Sequence, residues 1–151
     1  KRIEKIKNVM PNCCIGVDVI VGFPGETETE FQETIDFLSD LDFSYLHVFT
    51  YSERSGTDAV KFKNAVPVHV RKARSKILHQ LSESKKTDFY AKHLNTTSKI
   101  LFESFSNGWV EGWSENYIRV KVPGNVDMIN TIESVRLTKF ESTAIEGEIL
   151  S

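Results

Sequence analysis

The ten residues from Cys14 to Phe23, CIGVDVIVGF, constrain this chain more than any others. They are β-branched and almost continuously apolar, the pattern of a strand covered on both faces in a parallel sheet. Asp18 is the exception, and a carboxylate in such a strand must be paired, hydrogen-bonded or turned toward a site. The turn Gly22-Phe23-Pro24-Gly25-Glu26 follows. Thr27 then opens a helix, and Glu30 three residues on completes a capping box. Phe31, Ile35, Leu38 and Leu41 give that helix one apolar face. The helix is predicted to end near Asp42, and Ser44 to Thr50 reads as a second strand. Strand, turn, helix and strand in this order form a βαβ unit, with parallel strands and a right-handed crossover.

The flanks organise around this unit. Ile3, Ile6, Val9 and Met10 recur at helical spacing until Pro11 and Asn12 break the pattern. Residues 51–66 read as a loop, and Pro67 fits the first turn of a long helix running to about His93. Val70, Ala73, Ile77 and Leu81 are its expected buried stripe, and Arg71, Lys72, Arg74, Lys76, Lys85, Lys86 and Lys92 its charge. From Thr97 the texture changes to short alternating runs separated by the turn signals Asn107-Gly108 and Pro123-Gly124-Asn125. Five such runs predict a small antiparallel barrel that closes its own edges. The fold class is therefore α/β plus all-β, with residues 1–95 as one domain and 96–151 as the other.

Composition sets the outer limits. A chain of 151 residues with 40% hydrophobic and 26% charged side chains is that of a folded globular protein of one ordinary or two small domains. The apolar runs fall far short of the ~20 residues of a membrane helix, so no membrane partner is expected. A chain that opens at Lys1, in mid-pattern, is expected to be part of a longer protein. Cys13 and Cys14 are adjacent; on a strand they would face opposite ways, and two thiolates alone do not hold a zinc ion or an iron–sulfur cluster. They read as small apolar residues in a reducing, cytoplasmic setting. No metal ligand set is expected: His69, His79 and His93 match no ligand spacing, and His47 reads as a packed or site-lining strand residue.

Charge is unevenly spread. Residues 1–60 carry 5 basic and 11 acidic groups, residues 61–99 carry 10 basic groups against Glu83 and Asp88, and residues 100–151 carry 4 basic and 8 acidic. A basic segment between acidic ones suits a polyanionic partner, and equally a solvated helix face. Gly22 and Gly25 allow close backbone approach at a strand's C-terminal end, where α/β folds place ligands. Arg54, beyond the second strand, can clamp a carboxylate or phosphate. Trp113 and Tyr117, beside Arg119 and Lys121, suit base stacking or core packing.

Two stretches, GVDVIVGFPGETETEFQETIDFL with YLHVFTYSERSGTDA, and GWVEGWSENYIRVKVP, together resemble the tRNA methylthiotransferases. The first pair resembles the last two strand–helix units of that family's radical-SAM barrel, and the last its TRAM domain. The likeness is greatest to the branch acting on N6-threonylcarbamoyladenosine. The resemblance implies a C-terminal portion of an enzyme that inserts a methylthio group at C2 of a modified adenosine at tRNA position 37. Such enzymes use S-adenosylmethionine and two [4Fe-4S] clusters, whose ligands lie in an N-terminal domain and a C-x-x-x-C-x-x-C loop; neither is in this sequence. The portion alone is then expected to be inactive, to need the remaining barrel of the same polypeptide, and to self-associate through unpaired strand edges. It implies cofactor contacts at Asp18, Ile20, Gly22, Pro24, Gly25, Glu26, Val48, Phe49, Tyr51 and Arg54, with catalytic residues unassigned. Gly25 stands where the general radical-SAM pattern has its glutamate, and Glu26 comes one later. For tRNA, Trp113, Asn116, Tyr117, Arg119 and Lys121 are implied, and the charge pattern adds Lys85, Lys86 and Lys92. The alternative reading is a stand-alone tRNA- or RNA-binding module with the α/β part as scaffold.

Overall fold

A computed structural model describes residues 1–150, and these divide into two compact units. The first unit holds Lys1–Pro11 and Ile15–Lys86. It contains α1 (Arg2–Val9), β1 (Gly16–Val21), α2 (Glu28–Ser39), β2 (Tyr45–Thr50) and most of α3 (Val68–Ala91). β1 and β2 pair in parallel, from Gly16 opposite Tyr45 to Val21 opposite Thr50. α2 starts where the sequence places it. Thr27 Oγ1 accepts the Glu30 N–H, the Glu30 carboxylate accepts the Thr27 N–H at 2.8 Å, and that second bond is the main cause holding the Glu30 carboxyl below its ordinary range.

Pleating turns Val17, Val19, Val21, Leu46 and Val48 toward a core shared with Phe31, Leu38, Phe43 and Leu78. Each fully buried side chain such as Phe31 or Leu78 stabilises the unit by about 1.5–3 kcal/mol. Gly16, Asp18 and Ile20 fall on the opposite, exposed side with His47 and Phe49. A strand covered on both faces was the expectation; one face is open, because the core side chains of α2 and α3, Phe31, Leu38 and Leu78, all pack on the other.

The buried stripe of α3 also differs from the expected one. Leu81 packs against the core as expected and Val70 is half-buried, but Ala73 and Ile77 are exposed, while Arg71, Arg74, Leu78 and Ser82 are buried. The helix is rotated by about one residue because its inner neighbours are strand-end carbonyls and carboxylates, and these need donors more than methyl groups. Ser82 Oγ, for example, donates to Leu46 O at 3.3 Å and accepts the Leu46 N–H at 2.8 Å.

The second unit joins Asn12–Cys14 to the chain from Thr87 onward. Five strands of it, β3 (Thr97–Ser106), β4 (Trp109–Ser114), β5 (Arg119–Pro123), β6 (Ile132–Glu141) and β7 (Ala144–Ile149), close a barrel in the order β3-β4-β5-β7-β6. The wholly antiparallel barrel expected from sequence needs correcting at one seam: β5 pairs β7 in parallel, at Val120 with Ile145 and Lys121 with Glu146. An odd number of strands around a ring cannot alternate in direction throughout, so one parallel seam is unavoidable. Register shifts at Phe102/Ser104 and Leu137/Lys139 supply the curvature that closure requires. Ile100, Phe102, Val110, Val120, Val135 and Leu137 fill the interior, with Cys14 packed against them. Cys13 and Cys14 are not joined by a disulfide.

Candidate functional site

In the first unit the C-terminal ends of β1 and β2 share one rim, and both loops are clasped from α3. Arg71 donates through Nε to Val66 O at 2.7 Å, through Nη1 to Tyr51 O at 3.0 Å, and through Nη2 to Glu53 Oε1 at 2.6 Å. That last bond is the main cause lowering the Glu53 carboxyl from its ordinary range. Arg74, one turn on, donates to Glu26 O and Oε2 and to Glu28 Oε2. The same Glu26 Oε2 accepts the Gly22 N–H at 2.7 Å. Glu26 thus closes its own turn from within. Gly22 has φ +78°, and a Cβ there would lie 2.4 Å from Arg71 Cγ, so only glycine fits against the arginine stem.

The other residues singled out from sequence divide between two faces. Asp18 stands opposite His47 and Ile20 opposite Phe49 on the open side of the sheet. Val48 lies on the covered side, against the core. Gly25 is exposed, with open space where a Cβ would project. Pro24 is half-buried beside it. Tyr51 meets Phe23 edge-on at 5.3 Å, and its hydroxyl is buried without a hydrogen-bond partner among the described residues. Arg54 is exposed; its carbonyl closes a turn by accepting the Thr57 N–H and hydroxyl, and its guanidinium points to no partner among the described residues. Sequence reasoning passed over Arg71 and Arg74 as clasps. Their signal was the three-residue spacing of two arginines opposite an acidic turn.

The basic residues attributed to RNA also separate. Lys85 Nζ donates to Ser39 O at 2.7 Å and to Leu41 O at 2.8 Å, capping the end of α2, and sits 5.2 Å from the Phe43 ring. Lys86 is half-buried and Lys92 exposed, just past the end of α3. On the barrel, Lys121 pairs with Glu146 at 3.0 Å and with Glu141, above the Trp109 ring. Arg119 pairs with Glu111. Trp113 and Tyr117 are exposed, at 40% and 72%. Asn116 is built into the unit: its amide donates to Asn12 O at 2.9 Å and meets His93 Nε2 at 3.0 Å, while its Oδ1 accepts the Ser114 hydroxyl at 2.6 Å. His93 Nδ1 lies 2.8 Å from Phe89 O, so the proton sits on Nδ1 and Nε2 is left to accept from Asn116.

Over 154 aligned residues the chain is 36% identical to the threonylcarbamoyladenosine tRNA methylthiotransferase of Bacillus subtilis, covering 99% of this chain and 34% of that protein. Its homologues are tRNA methylthiotransferases. A second, the tRNA-2-methylthio-N(6)-dimethylallyladenosine synthase of Bdellovibrio bacteriovorus, is 33% identical, with coverage of 99% and 34%. The protein of that same description from Symbiobacterium thermophilum is 35% identical, with coverage of 96% and 32%. The chain therefore spans about a third of the length of the curated methylthiotransferases it matches. No protein-family model matches it. Among the described residues no cluster of three or more His, Cys, Asp or Glu is set to hold a metal, and no helix is long and apolar enough to cross a membrane.

Proposed function

We propose that this chain is part of a radical-SAM tRNA methylthiotransferase, its first unit the last two strand–helix units of the catalytic barrel and its second a TRAM domain that grips tRNA. The carrying observation is that relatives named for methylthiotransfer match the α/β unit and the barrel in one continuous alignment. The substrate is threonylcarbamoyladenosine in tRNA, the nucleoside in the name of the Bacillus subtilis relative, at position 37 as the family resemblance implies. The enzyme works in the cytoplasm, and the chain alone is inactive. Its partners are tRNA and the remaining barrel and N-terminal domain of the same polypeptide.

The rim residues fit S-adenosylmethionine. Ile20 and Phe49 offer an exposed apolar strip for a planar ring, Gly22, Pro24 and Gly25 bring backbone close to a ligand, and Arg54 holds out a guanidinium suited to a carboxylate. Asp18 sits one pleat from Ile20, within reach of hydroxyl groups, and Tyr51 closes the far end. When bound, that cofactor supplies the radical chemistry, together with iron–sulfur clusters whose ligands come from elsewhere in the polypeptide. What this chain contributes is a fixed wall. Glu26 serves the turn through Gly22 and Arg74, which supports a positioning role beside the cofactor.

The test is nucleoside analysis of tRNA from cells lacking the gene that encodes this chain. The methylthiolated form of N6-threonylcarbamoyladenosine should disappear and return on complementation with the whole gene. Unchanged nucleosides would overturn the reading. Tight tRNA binding by the purified chain would then leave the second reading, an RNA-binding module, which the closed barrel supports because it completes its own sheet.

A further inference from the structure

The outer surface of the barrel carries a row of residues that the fold does not use. Ile132 on β6 stands opposite Leu101 on β3, Leu101 opposite Trp113 on β4, and Trp113 opposite Arg119 on β5. Three adjacent strands thus present Ile132, Leu101 and Trp113 side by side, at 63%, 39% and 40% exposure. Tyr117 belongs to the turn between the strands of Trp113 and Arg119 and has φ +59°, a conformation that a bulky aromatic residue avoids. The turn imposes it: Ile118 N–H donates to Ser114 Oγ at 2.9 Å, Tyr117 N–H to Ser114 O at 3.0 Å, and Asn116 anchors the loop to His93 and Asn12. A ring so exposed gains nothing from the core in return.

The cations of this unit narrow the choice of partner. Arg119, Lys121 and Lys139 are committed to Glu111, Glu146 and Glu141, in a unit whose acidic groups outnumber its basic ones. The side chains of Lys99 and Arg136 make no hydrogen bond or ion pair among the described residues, and both are exposed. They border the apolar row. Lys99 lies two residues before Leu101 on the same face and opposite Ser134, and Arg136 lies opposite Thr97. An apolar and aromatic strip with uncommitted cations along one side matches an unpaired nucleic-acid strand, with bases on the strip and phosphates on the cations. A duplex hides its base faces and would use only the cations. A protein partner would leave the two charges without a role.

We propose that Ile132, Leu101, Trp113 and Tyr117 form a stacking platform for unpaired bases of an RNA loop, and that Lys99 and Arg136 hold its phosphates. This rests on the RNA-binding part of the reading above and names the class of RNA contacted. The test uses the whole chain and fluorescence anisotropy with a short labelled single-stranded RNA, its duplex and tRNA. The Tyr117→Asn variant is the most informative, because asparagine tolerates positive φ and the fold is kept while the ring is lost. Affinity for the single strand should fall roughly 5- to 100-fold in Tyr117→Asn, and should also fall in Leu101→Ser. The Lys99→Gln variant should flatten the salt slope by about one. The duplex should bind more weakly and be unaffected by Tyr117→Asn. If the wild-type chain binds no RNA at any salt concentration, the RNA reading itself fails. If it binds but Tyr117→Asn and Leu101→Ser bind equally well, the platform alone is overturned. A concentration-dependent dimer abolished by these same two variants would overturn it too.

Discussion

At the scale of single residues, two positions carry consequences that can be measured. A Cβ on Gly112 would lie 2.0 Å from the Leu101 carbonyl oxygen, so β3 and β4 approach only because that side chain is absent. Gly112→Ala should cost about 1–3 kcal/mol or more, read from the urea midpoint, since the obstacle is backbone and cannot rotate away. The second is Glu141, where the hydrogen bond from Lys139 is the largest of the causes that pull the carboxyl from 4.5 to about 2. Its folded-state value is depressed, so its stabilisation is complete above pH 4.5 and is lost as pH falls through about 2. The wild-type chain should be more stable than Glu141→Gln at pH 6, and the gap between their urea midpoints should shrink between pH 4.5 and 2. A gap independent of pH would show the contact to be packing and not charge.

At the scale of elements, α2 shows how far local sequence reaches. Thr27 and Glu30 are three residues apart, and their reciprocal bonds are those read from the sequence. Thr27→Ala should destabilise the first unit by about 1 kcal/mol in thermal or urea unfolding. α3 shows where that reach stops. Arg74 binds acceptors 46 and 48 residues earlier in the chain and Arg71 acceptors 18 and 20 residues earlier, beyond any local periodicity, so an apolar count placed Leu81 inside correctly but Ala73 and Ile77 wrongly. Arg74 and Glu26 are nearly enclosed, and removing one alone strands a charge. Arg74→Ala should cost about 3–5 kcal/mol, and a second change, Glu26→Gln, should recover part of that loss.

At the scale of the whole molecule, the basic segment of residues 61–99 is less available than its composition suggests. Arg71 and Arg74 are buried, and Lys85 caps α2. Lys85→Ala should therefore lower the urea midpoint while leaving the salt slope of tRNA binding unchanged, unlike Lys99→Gln. β1 and β2 pair only with each other among the described residues, and exposed strand edges recruit further strands. Chromatographic size should rise with concentration for the chain alone, and a strict monomer would count against that. The sequence by itself determined the elements and their order: the strand, the capped helix, the second strand and the barrel runs follow from propensities and spacings spanning a few residues. Tertiary structure alone decided which face of α3 is inside, where the parallel seam falls, and which cations remain uncommitted. Each of those depends on partners brought together from distant parts of the chain, and a charge in a sequence does not state whether it will be spent on the fold or kept for a ligand.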